Sequence, residues 1–390
     1  MQTIATSVQL KERNMARVLS IIRTQGPISR ISIAKELDLS PPTVSSVVDE
    51  LLGSQLVEEV GVGISGGGRK PVLLALKPDA LYALGADLSD QEVTVAVVNL
   101  AGQVVESCGK TLPGGVPWPE MRQELAALVG QMQKKYELLG LGVVAPGIIS
   151  PEGMLHYASS QGWRDLPLLE DCQAFFTGPV AVENNVRAMA LGEYWFGAGQ
   201  GLENLVMVRL GGGIGSGIIS GGQIFRGDLG AAGEIGHITV DPEGPQCHCG
   251  NRGCLEAAAA LPALVDSWGG TREEFLSALA REDSKAMSIV QAAGEPLGIA
   301  IANLINLFSP KMIVMASPIP QLIEILLPRV RQVVDARAIP WQRGRVAIVG
   351  SDHGQRAGMV GAATLILARL LSQPRTAFLE KSCLQGGIGR

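Results

Sequence analysis

Residues 237 to 256 read HITVDPEGPQCHCGNRGCLE, which places two of the four histidines and three of the six cysteines within twenty positions. His237, Cys247, Cys249 and Cys254 offer one imidazole and three thiolates, a donor set that suits a tetrahedral zinc ion. The gaps are irregular for a zinc finger but short, and Gly250 and Gly253 let the backbone wrap a cation. A redox centre would favour Cys-x-x-Cys at a helix start, a spacing absent here, and unrelated core cysteines would not be this dense. Four protein ligands leave the metal no open position, so its expected work is to fix geometry rather than to do chemistry. Glu234 precedes His237 by one helical turn and Glu256 follows Cys254 by two residues, so pinning the ligands pins both carboxylates. Glu256 also fits a helix start, where the dipole favours a negative charge. His248, between ligands, is expected to face solvent.

The elements that hold this cluster belong to a chain of 390 residues, 46% hydrophobic and 18% charged, long enough for two or three packed domains. Cys108, Cys172 and Cys383 are scattered singly and make no disulfide framework, and the opening MQTIATSVQL lacks a basic-then-apolar signal pattern. A reducing cytoplasm is therefore the expected location. The longest uncharged run, 210 to 225, is mostly glycine and serine, so no membrane span is expected. Residues 1–77 hold nine Lys/Arg and seven Asp/Glu in a chain of net charge −5. A slightly basic head on an acidic body suggests that the head meets any polyanion.

The head, 1–77, reads as a winged helix-turn-helix. Met15, Val18, Leu19 and Ile22 fall at i, i+3, i+4 and i+7, and Gly26-Pro27 ends that helix. Ser29 can cap a second helix bearing Ile33, Ala34 and Leu37. Ser40 can cap a third, with Pro41 at its first position and Val44, Val47, Val48 and Leu51 on its core face. The opposite face offers Pro42, Thr43, Ser45 and Ser46, small groups suited to entering a major groove. Two strand-like runs then flank a glycine-rich tip ending in Arg69 and Lys70, a wing whose cations can reach phosphates or a minor groove. A helical cap with a surface hairpin, or a head that binds protein, are the competing readings.

From about residue 80 the pattern is three hairpin-connected strands followed by strand and helix in alternation, a mixed α/β sheet covered by helices. A second lobe starts near 200 with the hairpin ENLVMVRLGGGIGSGIISGGQIF, after which helices dominate.

The segments LGGGIGSGIISGG, GEIGH, CHCGNRGCLE and VENNVRAMALGE together resemble the signature segments of the ROK family, which contains sugar kinases and sugar-responsive repressors. The resemblance covers essentially the whole chain, because a winged head on such a body is similar to the repressor branch. It implies a two-lobed, actin-like ATPase fold with a sugar site between the lobes: a first lobe of 78–198 plus 372–390 and a second of 199–371 with the zinc site. It also implies that His237, Cys247, Cys249 and Cys254 are zinc ligands and that Glu234, His237 and Glu256 contact sugar hydroxyls.

Two departures from the kinase pattern bear on activity. Kinases of this family carry an Asp as general base in an END segment, where this chain has ENN and so Asn185, which cannot accept a proton at neutral pH. Asn184 and Asn185 can still hydrogen-bond a sugar. The phosphate-loop segment Asp-x-Gly-Gly-Thr is matched by ADLSDQEV, with Ser89 and Asp90 in place of the glycines, so neither ATP binding nor phosphoryl transfer is expected. The second loop, 211–217, keeps its glycines, which serve phosphate or packing alone. Ser159 stands where the sugar kinases usually have Asn, which points to a different sugar. His156 and His353 are taken as structural.

The expectation is a repressor of carbohydrate uptake or catabolism genes, a homodimer or higher oligomer on an inverted-repeat operator of double-stranded DNA, released or retained by a sugar or sugar phosphate. An active kinase with an accessory head, and an interaction protein, are the alternatives.

Overall fold

The computed structural model describes residues 7–64, 70–89, 92–158 and 161–374. Arg69, Asp90 and Ser159 lie outside them, as do Cys383 and most of the segment 372–390.

The head begins with α1 (Ser7–Gln25), whose stripe Met15, Val18, Leu19 and Ile22 is buried as the periodicity predicts. A short strand, β1 (Ile28–Ser29), leads into α2 (Arg30–Leu37) and α3 (Pro41–Gly53). The Ser29 hydroxyl accepts from Ser32 N at 3.1 Å, and that of Ser40 from Thr43 N at 3.3 Å, so both predicted caps form. The antiparallel pair β2 (Val57–Val62) and β3 (Val72–Leu76) makes the stem of the wing, with β1 on the other edge of β3.

The two lobes repeat one topology. In the first, β4 (Tyr82–Asp87), β5 (Glu92–Asn99) and β6 (Val104–Thr111) form an antiparallel meander, followed by α4 (Trp118–Gln133) and β7 (Leu138–Ala145). A small three-stranded sheet, β8 (Ile148–Ile149), β9 (Leu155–Ala158) and β10 (Trp163–Leu166), interrupts the alternation and was not foreseen from sequence. Then come α5 (Leu168–Gln173), β11 (Val180–Asn184) and α6 (Asn185–Phe196). The sheet order is β11-β7-β4-β5-β6, with β7 and β11 parallel to β4.

The second lobe opens with the meander β12 (Leu205–Leu210), β13 (Ile214–Ser220) and β14 (Gln223–Ile224). The helices α7 (Leu255–Ala259), α8 (Leu261–Trp268), α9 (Arg272–Ala280) and α10 (Ser284–Phe308) precede β15 (Met312–Ala316). After α11 (Pro320–Arg337) and β16 (Ala347–Gly350), α12 (Ala357–Ser372) closes the described chain. The order β14-β13-β12-β15-β16 again sets a meander on one side of the first strand and two parallel strands on the other.

One expectation changes and one stands on other grounds. The boundary that gives 199–371 to the second lobe is wrong for α12, which packs on β4, β7 and α6. Ala363, Ile366, Leu367 and Leu370 share one core with Leu81, Ala83, Ala96 and Val98, because this apolar helix is the lid of the first sheet. The approach is close: a Cβ on Gly142 would lie 1.8 Å from Ala362 O, and one on Gly361 2.5 Å from Ala188 C. Second, α10 is long and apolar enough by length and composition to cross a membrane. In the fold it is a core helix, with Ala286, Val290, Leu297, Ile301 and Ile305 fully buried.

The head is not a loosely tethered module. Met15, Val18, Leu19 and Ile22 of α1 belong to the same apolar cluster as Leu81, Ala83, Leu367 and Leu371 of the first lobe.

Candidate metal centre and polar cleft

The four expected ligands converge. Their donor atoms all lie within 4.8 Å of one another, with Cys247 Sγ 3.8 Å from His237 Nδ1 and Cys249 Sγ 3.7 Å from Cys254 Sγ. A tetrahedral zinc with Zn–S of about 2.3 Å requires sulfur–sulfur edges of about 3.8 Å, so the set fits the ion. The loop is shaped by backbone bonds, Cys247 N to Asn251 O at 2.8 Å and Val240 N to Gly253 O at 2.9 Å. Gly250 and Gly253 have φ of +95° and +72°, and a Cβ on Gly253 would fall 1.6 Å from Asp241 O. Only glycine meets both requirements at 253. Burial pushes the Cys254 thiol up to about 12, while the N–H of Asn251 holds the exposed Cys249 below its usual value.

Cys254 is the residue immediately before α7, so Glu256 stands in that helix's first turn. Glu256 Oε2 accepts from Ile214 N at 2.8 Å, and a Cβ on Gly213 would lie 2.4 Å from the same oxygen. The glycine-rich hairpin is thus packed directly against the metal loop. His237 ends a 3-10 turn, Ile235–His237, that follows Glu234. Glu234 opens to solvent as a residue, yet its carboxyl is crowded by protein. Desolvation raises its pKa and Glu256 adds to this, while His237 and Arg187 oppose it. His248 faces solvent as expected, and it also has protein neighbours. It is half exposed, but its Nδ1 faces Glu256 Oε1 at 3.4 Å and its ring meets that of His237 edge to face at 5.4 Å.

Asn184 and Asn185, expected to serve a sugar, are both buried and bonded to protein. Asn184 caps α6: its Oδ1 accepts from Val186 N and Arg187 N at 2.9 and 3.1 Å, and its Nδ2 donates to Gly147 O at 2.9 Å. Asn185 Nδ2 donates to Ser89 Oγ at 2.8 Å, and Ser89 donates through both its N–H and its hydroxyl to Asp87 Oδ1. The two departures from the kinase pattern are therefore joined in one hydrogen-bonded chain, Asn185 to Ser89 to Asp87. An amide suits this chain because Ser89 has one hydroxyl proton, already given to Asp87, so the next member must donate.

Sequence reasoning missed the buried ion cluster of Glu183 and Arg187. Arg187 Nε lies 2.8 Å from Glu183 Oε1, and Arg226 Nε lies 2.7 Å from Glu183 Oε2. Arg187 also donates to Gly230 O at 2.6 Å and Ile149 O at 3.3 Å, tying the segment that leads to Glu234 onto α6. The i, i+4 spacing of Glu183 and Arg187 was the available signal.

On the head, Pro42, Ser46 and Lys70 are exposed, and Thr43 and Ser45 are half-buried on the outer side of α3. The Thr43 hydroxyl pairs with that of Ser40 at 2.8 Å, so it serves the cap as well as the surface.

Comparison with known proteins locates this arrangement. The ROK family model matches residues 83–369, and the MarR family model matches residues 12–59. The chain is 32% identical to the DNA-binding transcriptional dual regulator NagC of Escherichia coli, covering 93% of this chain and 94% of that one. It is 34% identical to the xylose repressor of Caldicellulosiruptor bescii, covering 94% and 98%. Among solved structures, a ROK family transcriptional regulator homologous to the Mlc protein of E. coli superposes with a TM-score of 0.78 at 28% identity, covering 95% and 98%.

Proposed function

This chain belongs to the ROK family, and from that premise we propose that it is a cytoplasmic transcriptional regulator, a repressor of carbohydrate uptake and catabolism genes, governed by a sugar or sugar phosphate in a cleft that no longer phosphorylates. The family holds kinases as well as repressors, so membership alone does not decide between them. The observation that carries the choice is the chain Asn185–Ser89–Asp87: an amide occupies the position of the catalytic base and is committed to a side chain in the first phosphate loop. Losing a general base lowers a rate by about 10² to 10⁴.

Glu234, His237 and Glu256 are the proposed sugar contacts, with the unshared amide protons of Asn184 and Asn185 in support. A zinc ion held by His237, Cys247, Cys249 and Cys254 would fix the first three in place. Two heads of a homodimer would read the half-sites of an inverted repeat, with α3 in the major groove through Pro42, Thr43, Ser45 and Ser46, and the wing cations Arg69 and Lys70 at the phosphates. If the sugar-bound and sugar-free closures hold the heads at different spacings, ligand and operator affinities are coupled, typically by about 1–3 kcal/mol.

Incubation with ATP, magnesium and a panel of glucose, xylose, N-acetylglucosamine and the phosphates of these sugars tests the enzymatic half. A sugar is expected to bind, seen by calorimetry, without phosphoryl transfer. Transfer that disappears in Asn185→Ala would establish a kinase instead. The DNA half makes a second prediction. Lys70→Ala weakens operator binding and reduces the slope of log affinity against log salt by about 1.8, one phosphate contact from each of the two heads; an unchanged slope removes Lys70 from the interface.

A further inference from the structure

Helix α6 joins three parts of the molecule that a sugar-controlled regulator has to connect. Its N-terminal end lies at the cleft, where Asn184 caps it and Asn185 holds Ser89. Its last turn is fastened to the second lobe, since Ser351 Oγ donates to the fully buried Glu193. Its C-terminal end meets the head: Arg23, near the end of α1, donates through a terminal nitrogen to the carbonyl of Trp195. The Arg23 guanidinium also lies over two aromatic rings, 5.1 Å from the centroid of Trp195 and 5.6 Å from that of Phe196. Cleft and head are thus the two ends of one twelve-residue helix, a rod of about 18 Å.

We infer that Arg23 is a positioning residue that couples the DNA-binding head to the cleft through α6, an inference that rests on the regulatory reading above. The contact between head and first lobe also has an apolar part, in which Met15, Val18, Leu19 and Ile22 share one cluster with Leu81 and the end of α12. Apolar contacts are non-directional and tolerate sliding. The Arg23 contact is directional, because a hydrogen bond to a carbonyl weakens steeply with misalignment. It also reads the helix end itself, where unsatisfied carbonyls and the helix dipole favour a cation.

An apolar residue would have served adhesion alone. Arg23 instead places a charge largely out of water, with no carboxylate in ion-pair contact among the described residues, an unfavourable arrangement offset by the carbonyl and the two ring faces. Burial brings its pKa down to about 10, so the group stays charged at neutral pH. Its Nε is buried and makes no hydrogen bond among the described residues. A helix moves as a unit, so a shift at Asn184 and Asn185 changes the same contact at the far end.

The test uses the full chain and, as probe, a DNA duplex recovered by selection from a random-sequence pool. Amide hydrogen exchange is followed at Val186 and Arg187, whose N–H groups are held by Asn184 Oδ1. Binding of the duplex is expected to change exchange there by about fivefold or more. In Arg23→Ala the duplex still binds and the change at α6 is lost, and Arg23→Lys, which keeps a cation and a donor, restores part of it. Where Arg23→Ala does not bind the duplex, Arg23→Met, which keeps the buried stem without the donor, carries the same reading.

The inference is overturned by an undiminished change in Arg23→Ala, or in Arg23→Met where that variant carries the reading, by no change in the unaltered chain, or by loss of duplex binding in both the Ala and Met variants. If no sugar alters duplex affinity but the duplex still alters α6 through Arg23, the regulatory reading fails and the coupling contact stands.

Discussion

Arg187→Met is expected to lower the free energy of unfolding by about 3 kcal/mol. Arg187 and Glu183 are 1% and 3% exposed, so removing the cation leaves a carboxylate buried without its buried partner. Breaking a buried pair in this way costs about 3–5 kcal/mol, because the remaining charge has neither water nor a counter-ion. The lower end applies here, since Arg226 and the Asn184 N–H still reach Glu183. The bonds from Arg187 to Gly230 and Ile149 are lost as well, which frees the segment leading to Glu234. Urea unfolding of the full chain measures the effect. Arg226→Met, which removes a half-exposed partner, should cost clearly less. Equal stabilities for Arg187→Met and the unaltered chain would mean that the cluster does not organise this region.

Cys249→Ser is expected to release the metal and to weaken sugar binding by about a hundredfold. Cys249 is the exposed member of the set, so its replacement disturbs the metal more than the packing. A structural zinc site contributes about 10–16 kcal/mol to the order of the segment that holds it. Without it, the loop from His237 to Cys254 no longer fixes the 3-10 turn after Glu234 or the start of α7 at Glu256. Hydrogen bonds to charged groups contribute about 1.5–3 kcal/mol each, so misplacing the two carboxylates accounts for a loss of that size. Metal analysis and calorimetry with one sugar give both numbers. A protein that has lost its zinc and binds sugar unchanged would remove the positional role of the metal.

The parts legible in the sequence are those set by local rules. The stripe of α1, the caps Ser29 and Ser40 and the core face of α3 follow from helical spacing and cap chemistry, and all appear in the structure. The convergence of the four donors was legible because so many scarce donors within eighteen positions leave few alternatives. What was not legible depends on pairing across long separations. That Asn185 bonds Ser89, 96 residues away, and that Arg23 meets Trp195, 172 residues away, has no local signal. The apolar pattern of α12 gave its helix but not the sheet that it covers, hence the misplaced lobe boundary. Asn184 was read for sugar chemistry when its position, directly before a helix, also marked it as a cap.

The central claim is that a sugar in the cleft controls DNA binding by the head. Titrating a selected operator duplex with the full, zinc-loaded chain, with and without a sugar that calorimetry shows to bind, tests it most directly. The account predicts that the sugar moves the midpoint by about fivefold or more, and that the duplex shifts sugar affinity by the same factor. Coincident titrations with and without every sugar that binds would contradict it.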